Sequence, residues 1–547
     1  MILRECFFSA LCQTDDEYEM IGTCYSELLA YVSDNDNSFI ARVDCLASDP
    51  EFKEFAPVFE QFRQTVVKKA RGMDLCAGAD GTGFTEFCKT VVDMLRQFEL
   101  PQGIPEESCA PVCIFYVLEA LDCYIEGNLK QSEQRYSERR GCGPLNRNSS
   151  REKCLVYLAE QTSFLTGAYS KGGAEFRKPL HPTRIGEMFH MVLLFEACAL
   201  RQPPSIRPLR IREEHTVRTN RKFLIASIPY IGFDTFRFHE LFHAEPCKPG
   251  QVPDGNFYVD YSEEDEQELT QYMLSLLKSA VQQGANLITF PEFIMSPHMM
   301  QALQTHLRHM DRAYQEQLLA VFAGTCYHWD GKMGDNVLHI FTGSGINIGN
   351  CYKRSAFLKR HREMFHGAVL SAGKDTPDGD SPRRYLECCE LLSHPGKECC
   401  FLDIDGIGRV MPAVCRDIID GGNTAVLAEQ FLPSLLVVPA WSPSVHAFQT
   451  RFTGLAETVH TASLLCNCCN AVKDVKTLDS HGTMTGVFCL PKKTDGYMQT
   501  EQLPIRRPFG CSGNCKEQNG CVVMVEVDFS FGQPTAKIVT PQQKQDC

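Results

Sequence analysis

Three side chains that could share one reaction follow three separate apolar runs. Glu292 comes after NLITFP, Lys353 after INIGNCY, and Cys415 after RVMPAV. A thiol becomes a strong nucleophile once a neighbouring base takes its proton, and an ammonium stabilises a developing oxyanion. The carboxyl ends of strands are also where α/β proteins bind ligands. The three residues together predict attack by Cys415 on a poorly electrophilic carbon, with Glu292 as base.

Each of these residues also has a structural explanation when taken alone. A cysteine after an apolar strand is more often a buried packing residue than a nucleophile, and an acid at a strand end is common. The order of four segments favours the chemical interpretation. These segments are GANLITFPEF (284–293), INIGNCYKR (346–354), GRVMPAVCRD (408–417) and LLVVPAWSPS (435–444). They resemble, in the same order, the motifs of the nitrilase superfamily of carbon–nitrogen hydrolases.

The resemblance implies an α/β fold, a four-layer α-β-β-α sandwich, and a reaction that needs no cofactor. It implies a thioester on Cys415, with Lys353 and the backbone N–H of Arg416 as oxyanion donors. In FLKRHREMFHGA (357–368) the matching position for a second, supporting acid is Glu363. The alternative is that Glu363 is a surface carboxylate that balances nearby basic side chains.

The substrate implied by the resemblance is an amide-like compound. True nitrilases of the superfamily typically have Trp and Glu after the nucleophile, whereas this chain has Arg416 and Asp417, and amidase-like branches commonly have Asp there. An Asp at this position is also expected to cap the helix that follows. Trp441, Ser442 and His446 are candidate walls of the substrate pocket.

The distribution of apolar residues predicts two domains. Helical periodicity in segments 17–32, 51–70, 84–98, 112–125, 151–168 and 185–200 predicts an all-helical domain over residues 1–202. A Pro-rich, charged stretch predicts a linker over 203–221. Alternating strands and helices then predict the α/β domain over 222–547, with enlarged loops at 243–261 and 371–397.

Composition restricts the function classes. The net charge of −14 over 547 residues argues against a nucleic-acid-binding surface, and no apolar run is long enough for a membrane span, so we expect a cytoplasmic protein. Its 28 cysteines are expected to be mostly free thiols. Two cysteine clusters lack the paired spacing of a zinc site, so no metal is predicted. These clusters are Cys466, Cys468 and Cys469, and Cys511, Cys515 and Cys521.

Three functions remain open from the sequence. The leading one is hydrolysis of a small-molecule amide, and the same thioester could instead pass its acyl group to an amine. The third is an inactive scaffold that binds partners, although the intact set of Glu292, Lys353 and Cys415 argues against it. The resemblance further implies a homo-oligomer that pairs through helix-like segments 421–431 and 446–462, and the N-terminal helices are a candidate surface for a protein partner.

Overall fold

The computed structural model describes part of the chain, most continuously from residue 266 onward. The described residues are 21–25, 28, 56–72, 82–97, 106–125, 154–158, 192–196, 205–211, 222–229, 236–242, 255–261, 266–360, 387–404, 408–420, 423–431, 433–469, 471, 478–479, 482–494, 497–506, 522–528 and 535–539.

Helices and strands are numbered here along the chain. The helices are α1 (Ala56–Gly72), α2 (Thr82–Gln97), α3 (Glu106–Tyr124), α4 (Glu266–Gln282), α5 (Pro297–Arg308), α6 (Arg312–Gln317), α7 (Arg416–Ile419), α8 (Asn423–Phe431) and α9 (His446–Thr458). The strands are β1 (Cys154–Leu158), β2 (Val192–Glu196), β3 (Ser205–Ile211), β4 (Lys222–Ser227), β5 (Phe236–Phe242), β6 (Gly255–Tyr261), β7 (Leu287–Thr289), β8 (Ala320–Trp329), β9 (Gly334–Phe341), β10 (Asn347–Tyr352), β11 (Leu358–Arg360), β12 (Glu387–Glu390), β13 (Glu398–Ile404), β14 (Gly408–Pro412), β15 (Leu435–Ala440), β16 (Ala462–Asn467), β17 (Leu478–Asp479), β18 (Gly482–Thr494), β19 (Tyr497–Arg506), β20 (Val523–Asp528) and β21 (Thr535–Val539).

Two large sheets form the centre of the molecule. The first has the order β10-β9-β8-β7-β4-β20-β21, and its central strands β4, β7 and β8 run parallel. The second has the order β17-β18-β16-β15-β14-β13-β3, with β19 paired to β18. Here β14, β15 and β16 run parallel. Parallel central strands place the segments after β7, β14 and β15 at strand carboxyl ends, where sites form in α/β proteins.

The sheets pack face to face, and helices cover their outer faces. Successive side chains of β8 point to opposite faces of the first sheet. Phe322 packs in the core between the sheets, while Val321 packs with helices α4 and α5. On the other side, Phe448 and Phe452 of α9 join the core of the second sheet. The layers are therefore helix, sheet, sheet and helix, which confirms the predicted four-layer α-β-β-α architecture.

A third, smaller sheet covers one end of the sandwich. Its order is β11-β12-β6-β5, and β12 runs parallel to β6. The prediction of enlarged loops at 243–261 and 371–397 is wrong where these strands lie, because 255–261 and 387–390 are paired in this sheet. Strand β12 ends at Glu390, which lies in the site described below.

The N-terminal region differs from the all-helical prediction. Helices α1, α2 and α3 overlap three of the predicted segments, and Phe87 and Val91 of α2 are buried as its periodicity indicates. However, β1 and β2 form an antiparallel pair inside the segments predicted as helices at 151–168 and 185–200. Runs of five residues such as CLVYL and VLLFE are too short for periodicity to separate helix from strand, and their β-branched and aromatic residues suit a strand.

The predicted linker is also partly wrong. Residues 205–211 form β3, which pairs in parallel with β13 along its whole length. Its Pro208 is tolerated because β3 is the last strand of the sheet, where one side needs no partner. Among the described helices, none has the length and apolar character needed to cross a membrane. Self-association through α8 and α9 stays a prediction.

Candidate active site

Glu292 lies in a turn whose backbone contacts Ala440, Thr325 and Gly324. It follows β7 after Pro291, and its own N–H points to the carbonyl of Ala440 at 3.4 Å. The next residue, Phe293, has a φ of 65°, which is rare for a bulky side chain, and its N–H donates to Thr325 Oγ1 at 2.9 Å. Gly324 makes the approach possible, since a Cβ there would collide with the Pro291 carbonyl oxygen.

Lys353 extends from the end of β10 toward Glu292. Its backbone N–H donates to the Asn336 carbonyl at 2.9 Å, and its own carbonyl accepts from Gly396 N at 3.0 Å. Both bonds fix the main chain around the lysine, so the side chain enters the site from a rigid base.

The lysine ammonium binds two carboxylates at once. Nζ lies 2.7 Å from Glu292 Oε1 and 2.5 Å from Glu390 Oε2. Asn336 joins the same carboxylates from the other side, because its Nδ2 donates to Glu292 Oε1 and to Glu390 Oε1, both at 2.9 Å. The Phe357 N–H adds a third bond to Glu390 at 2.9 Å. The four side chains form one hydrogen-bonded cluster.

Burial makes the charges of this cluster interdependent. Glu292, Lys353 and Asn336 are each 1% exposed and Glu390 is 2% exposed. Burial alone would lower the pKa of Lys353, but Glu292 and Glu390 outweigh it, so the pKa is raised above its ordinary value. Burial raises the pKa of Glu390, and the Lys353 ammonium opposes that increase. Lys353 is therefore firmly protonated, and the two carboxylates share a single cation.

Cys415 sits on a sharp turn between β14 and α7. Its φ of 46° and ψ of −108° lie outside the regions that L-residues favour, and its N–H donates to the Pro439 carbonyl at 2.9 Å. Such strain at one residue is typical of functional sites. The thiol is buried, and the Glu292 carboxylate lies near it. Burial first, and then Glu292, raise the pKa of Cys415 well above its ordinary value, so the resting group is a thiol with a carboxylate beside it.

Aromatic rings cover the cluster on the side of the small sheet. Trp441 donates its backbone N–H to Glu292 Oε2 at 3.0 Å, and its ring packs 5.4 Å from Phe238 and 6.1 Å from Phe236. Phe293 lies between the rings and the charges, with the Lys353 ammonium 5.4 Å from its centroid. Within the described residues the indole Nε1 of Trp441 is buried and has no hydrogen-bond partner. This donor is oriented in a largely apolar enclosure.

The structure brings Glu292, Lys353 and Cys415 together, as the motif order predicts. Glu363, the expected supporting acid, lies outside the described residues. Among the described residues, Glu390 provides a second carboxylate to Lys353, a role that was not predicted from the sequence. A weak pattern was available, because ECCELL (387–392) is a short apolar and cysteine-rich run with an acid at the end of its strand, as in the motif of Glu292.

The other predicted site residues differ in their surroundings. Arg416 begins α7 directly after the nucleophile, and its guanidinium pairs with Asp420 at 2.7 Å. Ser442 is tied to Asn467, which accepts its N–H at 2.8 Å and donates to its carbonyl at 2.9 Å, so this residue shapes the loop after β15. His446 is exposed at the first position of α9.

Asp417 does not cap a helix, contrary to the sequence expectation. The residue at the N-terminal cap of α7 is Cys415, which makes no side-chain cap bond. The carboxylate oxygens of Asp417 instead accept N–H groups from outside the helix, at Arg354, Ser355 and Val414.

A cavity of about 690 Å³ lies beside the site and does not contain it. Its lining includes Trp329, Asp335, Tyr352, His394 and Lys397, but none of the clustered carboxylates or Cys415. Elsewhere in the described part of the chain, no three His, Cys, Asp or Glu side chains converge in a way that would hold a metal ion. Cys466 and Cys468 are fully buried, and Cys511, Cys515 and Cys521 lie outside the described residues.

A scan against models of protein families and a search of curated protein sequences each found no match to this chain.

Solved structures of other proteins are similar to part of the chain. Nit3 from Saccharomyces cerevisiae, a member of branch 10 of the nitrilase superfamily, shares 13% identity over 53% of this chain and 92% of its own, with a TM-score of 0.31. An amidase from Nesterenkonia sp. shares 12% over 54% and 95%, with a TM-score of 0.26. A glutamine-dependent NAD+ synthetase from Acinetobacter baumannii shares 14% over 58% and 48%, with a TM-score of 0.32. These likenesses are distant.

Proposed function

We propose that the region from residue 222 onward is a carbon–nitrogen hydrolase domain that cleaves a non-peptide, amide-like bond through a thioester on Cys415. The observation that carries this proposal is a thiol on a strained turn beside a buried carboxylate, which itself contacts a buried ammonium. A nucleophile, a base and an electrophilic cation are the groups that acyl transfer requires.

The first half of the reaction forms the thioester. Glu292 takes the Cys415 proton as sulfur attacks the carbonyl carbon, and the carbonyl π electrons move onto oxygen. Lys353 Nζ and the Arg416 N–H stabilise that oxyanion. When it collapses, the carbon–nitrogen bond breaks and Glu292 returns its proton to the leaving nitrogen. Ammonia or an amine departs, and the acyl group remains on sulfur.

The second half releases the acid. Glu292, again a carboxylate, takes a proton from water as the oxygen attacks the thioester. The same two donors stabilise the second oxyanion, the carbon–sulfur bond breaks, and the thiolate recovers a proton from Glu292. The raised pKa of Cys415 supports this cycle, because a thiol that stays protonated at rest needs the base at the moment of attack.

Glu390 acts in this scheme as a positioning residue. It binds Lys353 and shares Asn336 with Glu292, so it orients both the ammonium and the base without contacting the substrate. The hydrolysis of an amide suits this arrangement better than that of a nitrile. An amide passes through an oxyanion at the carbonyl oxygen, where a fixed ammonium is most effective.

The surroundings of Cys415 support an acyl group with an apolar or aromatic body. Phe236, Phe238 and Trp441 supply ring surface against Phe293, next to Glu292, and the partnerless indole N–H of Trp441 offers one donor to a substrate acceptor.

Mass spectrometry of the intact protein tests the proposal. The protein is incubated with a panel of primary amides and quenched in acid, and ammonia release is measured in parallel. We expect an acyl increment on the peptide that contains Cys415, and no increment or ammonia with Cys415→Ala or Glu292→Gln. Absence of turnover and of acylation across the panel, with a correctly folded protein, would instead support a non-catalytic role.

A further inference from the structure

Asp417 connects the two backbone segments that carry the reacting groups. Its Oδ1 accepts the N–H of Arg354 at 2.9 Å and the N–H of Ser355 at 2.7 Å, which directly follow Lys353. Its Oδ2 accepts the N–H of Val414 at 3.3 Å, which directly precedes Cys415. One side chain therefore spans the loop of the lysine and the turn of the nucleophile.

A carboxylate is the side chain that suits these three donors. It offers acceptors on both oxygens, whereas an amide would present an N–H₂ group to one of the N–H donors. Asp417 is only 4% exposed, and the salt bridges formed by the described residues do not include it. Burying a carboxylate is costly, and here the cost is offset by three backbone N–H bonds that join the two segments.

The backbone hydrogen bonds of the Cys415 turn go to its own residues and to β15, and none of those described reaches the Lys353 loop. The Cys415 N–H continues the ladder to Pro439, and the Asp417 N–H turns back to the Val414 carbonyl at 3.0 Å. The helix that follows has only four residues, too short to anchor the turn by itself. The side chain of Asp417 is the link from this turn to the Lys353 loop.

We propose that Asp417 is a positioning residue that sets the placement of the Cys415 thiol relative to the Lys353 ammonium. This inference rests on the proposed function of the site. Since Asp417 faces backbone and not the aromatic enclosure, it acts on the acylation step and leaves substrate affinity nearly unchanged. A displacement of about 1 Å between reacting groups is enough to cost roughly 10²-fold in rate.

Protonation should weaken the link. A proton on either oxygen would face an N–H donor, so the ionised form is the one that holds the two segments. Burial raises the pKa of Asp417 to about 7, against the opposing effects of the Ser355 and Arg354 N–H groups and of the Lys353 and Arg354 charges. The thiols of Cys351 and Cys399 also face this carboxylate. The positioning effect is thus present above pH 7 and is lost as the pH falls through that value.

Asp417→Asn and Asp417→Glu test the proposal, with Asp420→Asn as the matched control. Asp420 belongs to the same turn, but its carboxylate binds the side chain of Arg416 and is 36% exposed. On an amide that the wild type hydrolyses, we expect Asp417→Asn to lower kcat by about 10²-fold with KM changed by less than about threefold. Asp417→Glu keeps the charge but moves the carboxylate, and should also lower kcat. Asp420→Asn should stay within about twofold of wild type, as is usual for an exposed pair.

A second measurement needs no substrate. Alkylation of Cys415 by iodoacetamide is followed across pH by mass spectrometry of its peptide, in proteins whose folding is checked by thermal melting. Lys353 opposes the increase in the thiol pKa, so displacing it should move the alkylation profile of Asp417→Asn to higher pH.

The outcomes separate the two proposals. No amide turnover by the wild type, with a shifted alkylation profile in Asp417→Asn, would remove the proposed function and leave the positioning role standing. A normal kcat in a folded Asp417→Asn or Asp417→Glu protein would overturn the positioning role. A lower melting temperature with unchanged kcat and an unchanged alkylation profile would overturn it as well, since Asp417 would then serve stability alone.

Discussion

The two halves of the candidate site are held by different kinds of interaction. Around Lys353, charged side chains bind one another, since two carboxylates share a single buried ammonium and the Asn336 amide donates to both carboxylates. Around Cys415, backbone geometry dominates, with a strained φ and a few main-chain hydrogen bonds. The first half is fixed by mutual charge neutralisation and the second by the conformation of the chain. Substitutions in the first should therefore cost stability and activity together, whereas substitutions in the second should separate the two.

Lys353→Met should have the largest effect of any single change. It leaves Glu292 and Glu390 buried side by side without a cation, and removing one partner of a buried ion pair typically costs about 3–5 kcal/mol. We expect the free energy of unfolding, measured in urea, to fall by that order and amide turnover to vanish. Lys353→Arg is the control for charge, and it should recover much of the stability but little activity, because a planar guanidinium does not fit the position of a compact ammonium. Unchanged stability in Lys353→Met would contradict the shared-cation description.

Glu390→Gln should have a smaller effect than Lys353→Met, and it should lower both the free energy of unfolding and kcat. The amide keeps the shape, but it loses one of the two charges that hold the ammonium, so Lys353 loses orientation at the oxyanion. We expect kcat to fall by about 10²-fold or more, in line with the loss of one oxyanion donor. The control is Glu526→Gln, which removes a carboxylate from a more exposed pair with Lys537 at the far edge of the first sheet. Equal activities for these two variants would show that Glu390 has no part in the reaction.

The pH profile of Cys415 tests the nucleophile half. Burial and Glu292 raise the pKa of this thiol, so the thiolate forms only as the pH rises above the ordinary range of a cysteine. In the free protein, the rate of Cys415 alkylation should keep increasing to at least about pH 9, the usual range for a free thiol. A rate that already levels off near pH 7 would indicate a preformed thiolate, and the role of Glu292 as proton acceptor would then be wrong.

The smallest predicted effect concerns the strained backbone itself. Glycine adopts a positive φ without steric cost, whereas alanine does not. Cys415→Gly should therefore be more stable than Cys415→Ala, by about 1 kcal/mol in urea unfolding, while both are inactive. If the alanine variant is the more stable of the two, the turn is not strained in the way its dihedral angles suggest.

The sequence predicts the two halves of the site unequally well. Glu292, Lys353 and Cys415 each lie within three residues of the end of a strand, so local patterns are enough to place them at strand ends. Glu390 stands nearly forty residues beyond Lys353 and enters the site only because β12 pairs with β6 in the small sheet. That pairing is long-range, and nothing in the local pattern of ECCE records it. The hydrogen bonds between Asp417 and the Lys353 loop could not be predicted from the sequence either. Asp417 binds backbone N–H groups there, and these groups leave no signal in the residue types.

The N-terminal errors have a related cause. Short apolar runs such as those of β1 and β2 take the conformation of whatever they pack against, so their periodicity carries little information. The Pro208 and the charges of β3 looked like a linker, yet an edge strand accepts both. The elements with long apolar faces, such as α4, α5 and β8, carry a clearer signal, because burial of a complete face requires a regular run of apolar residues.

Strand β3 has a practical consequence for dividing the chain. Every residue from Ser205 to Ile211 has a backbone partner in β13, so a shortened protein that begins at Lys222 would leave that row of N–H and C=O groups open to solvent. An open sheet edge is a template for strand addition from a neighbouring molecule, and so for aggregation. A dimer seen with such a protein would report the missing strand and not a native association. The boundary for an independently folding half should be placed before Ser205.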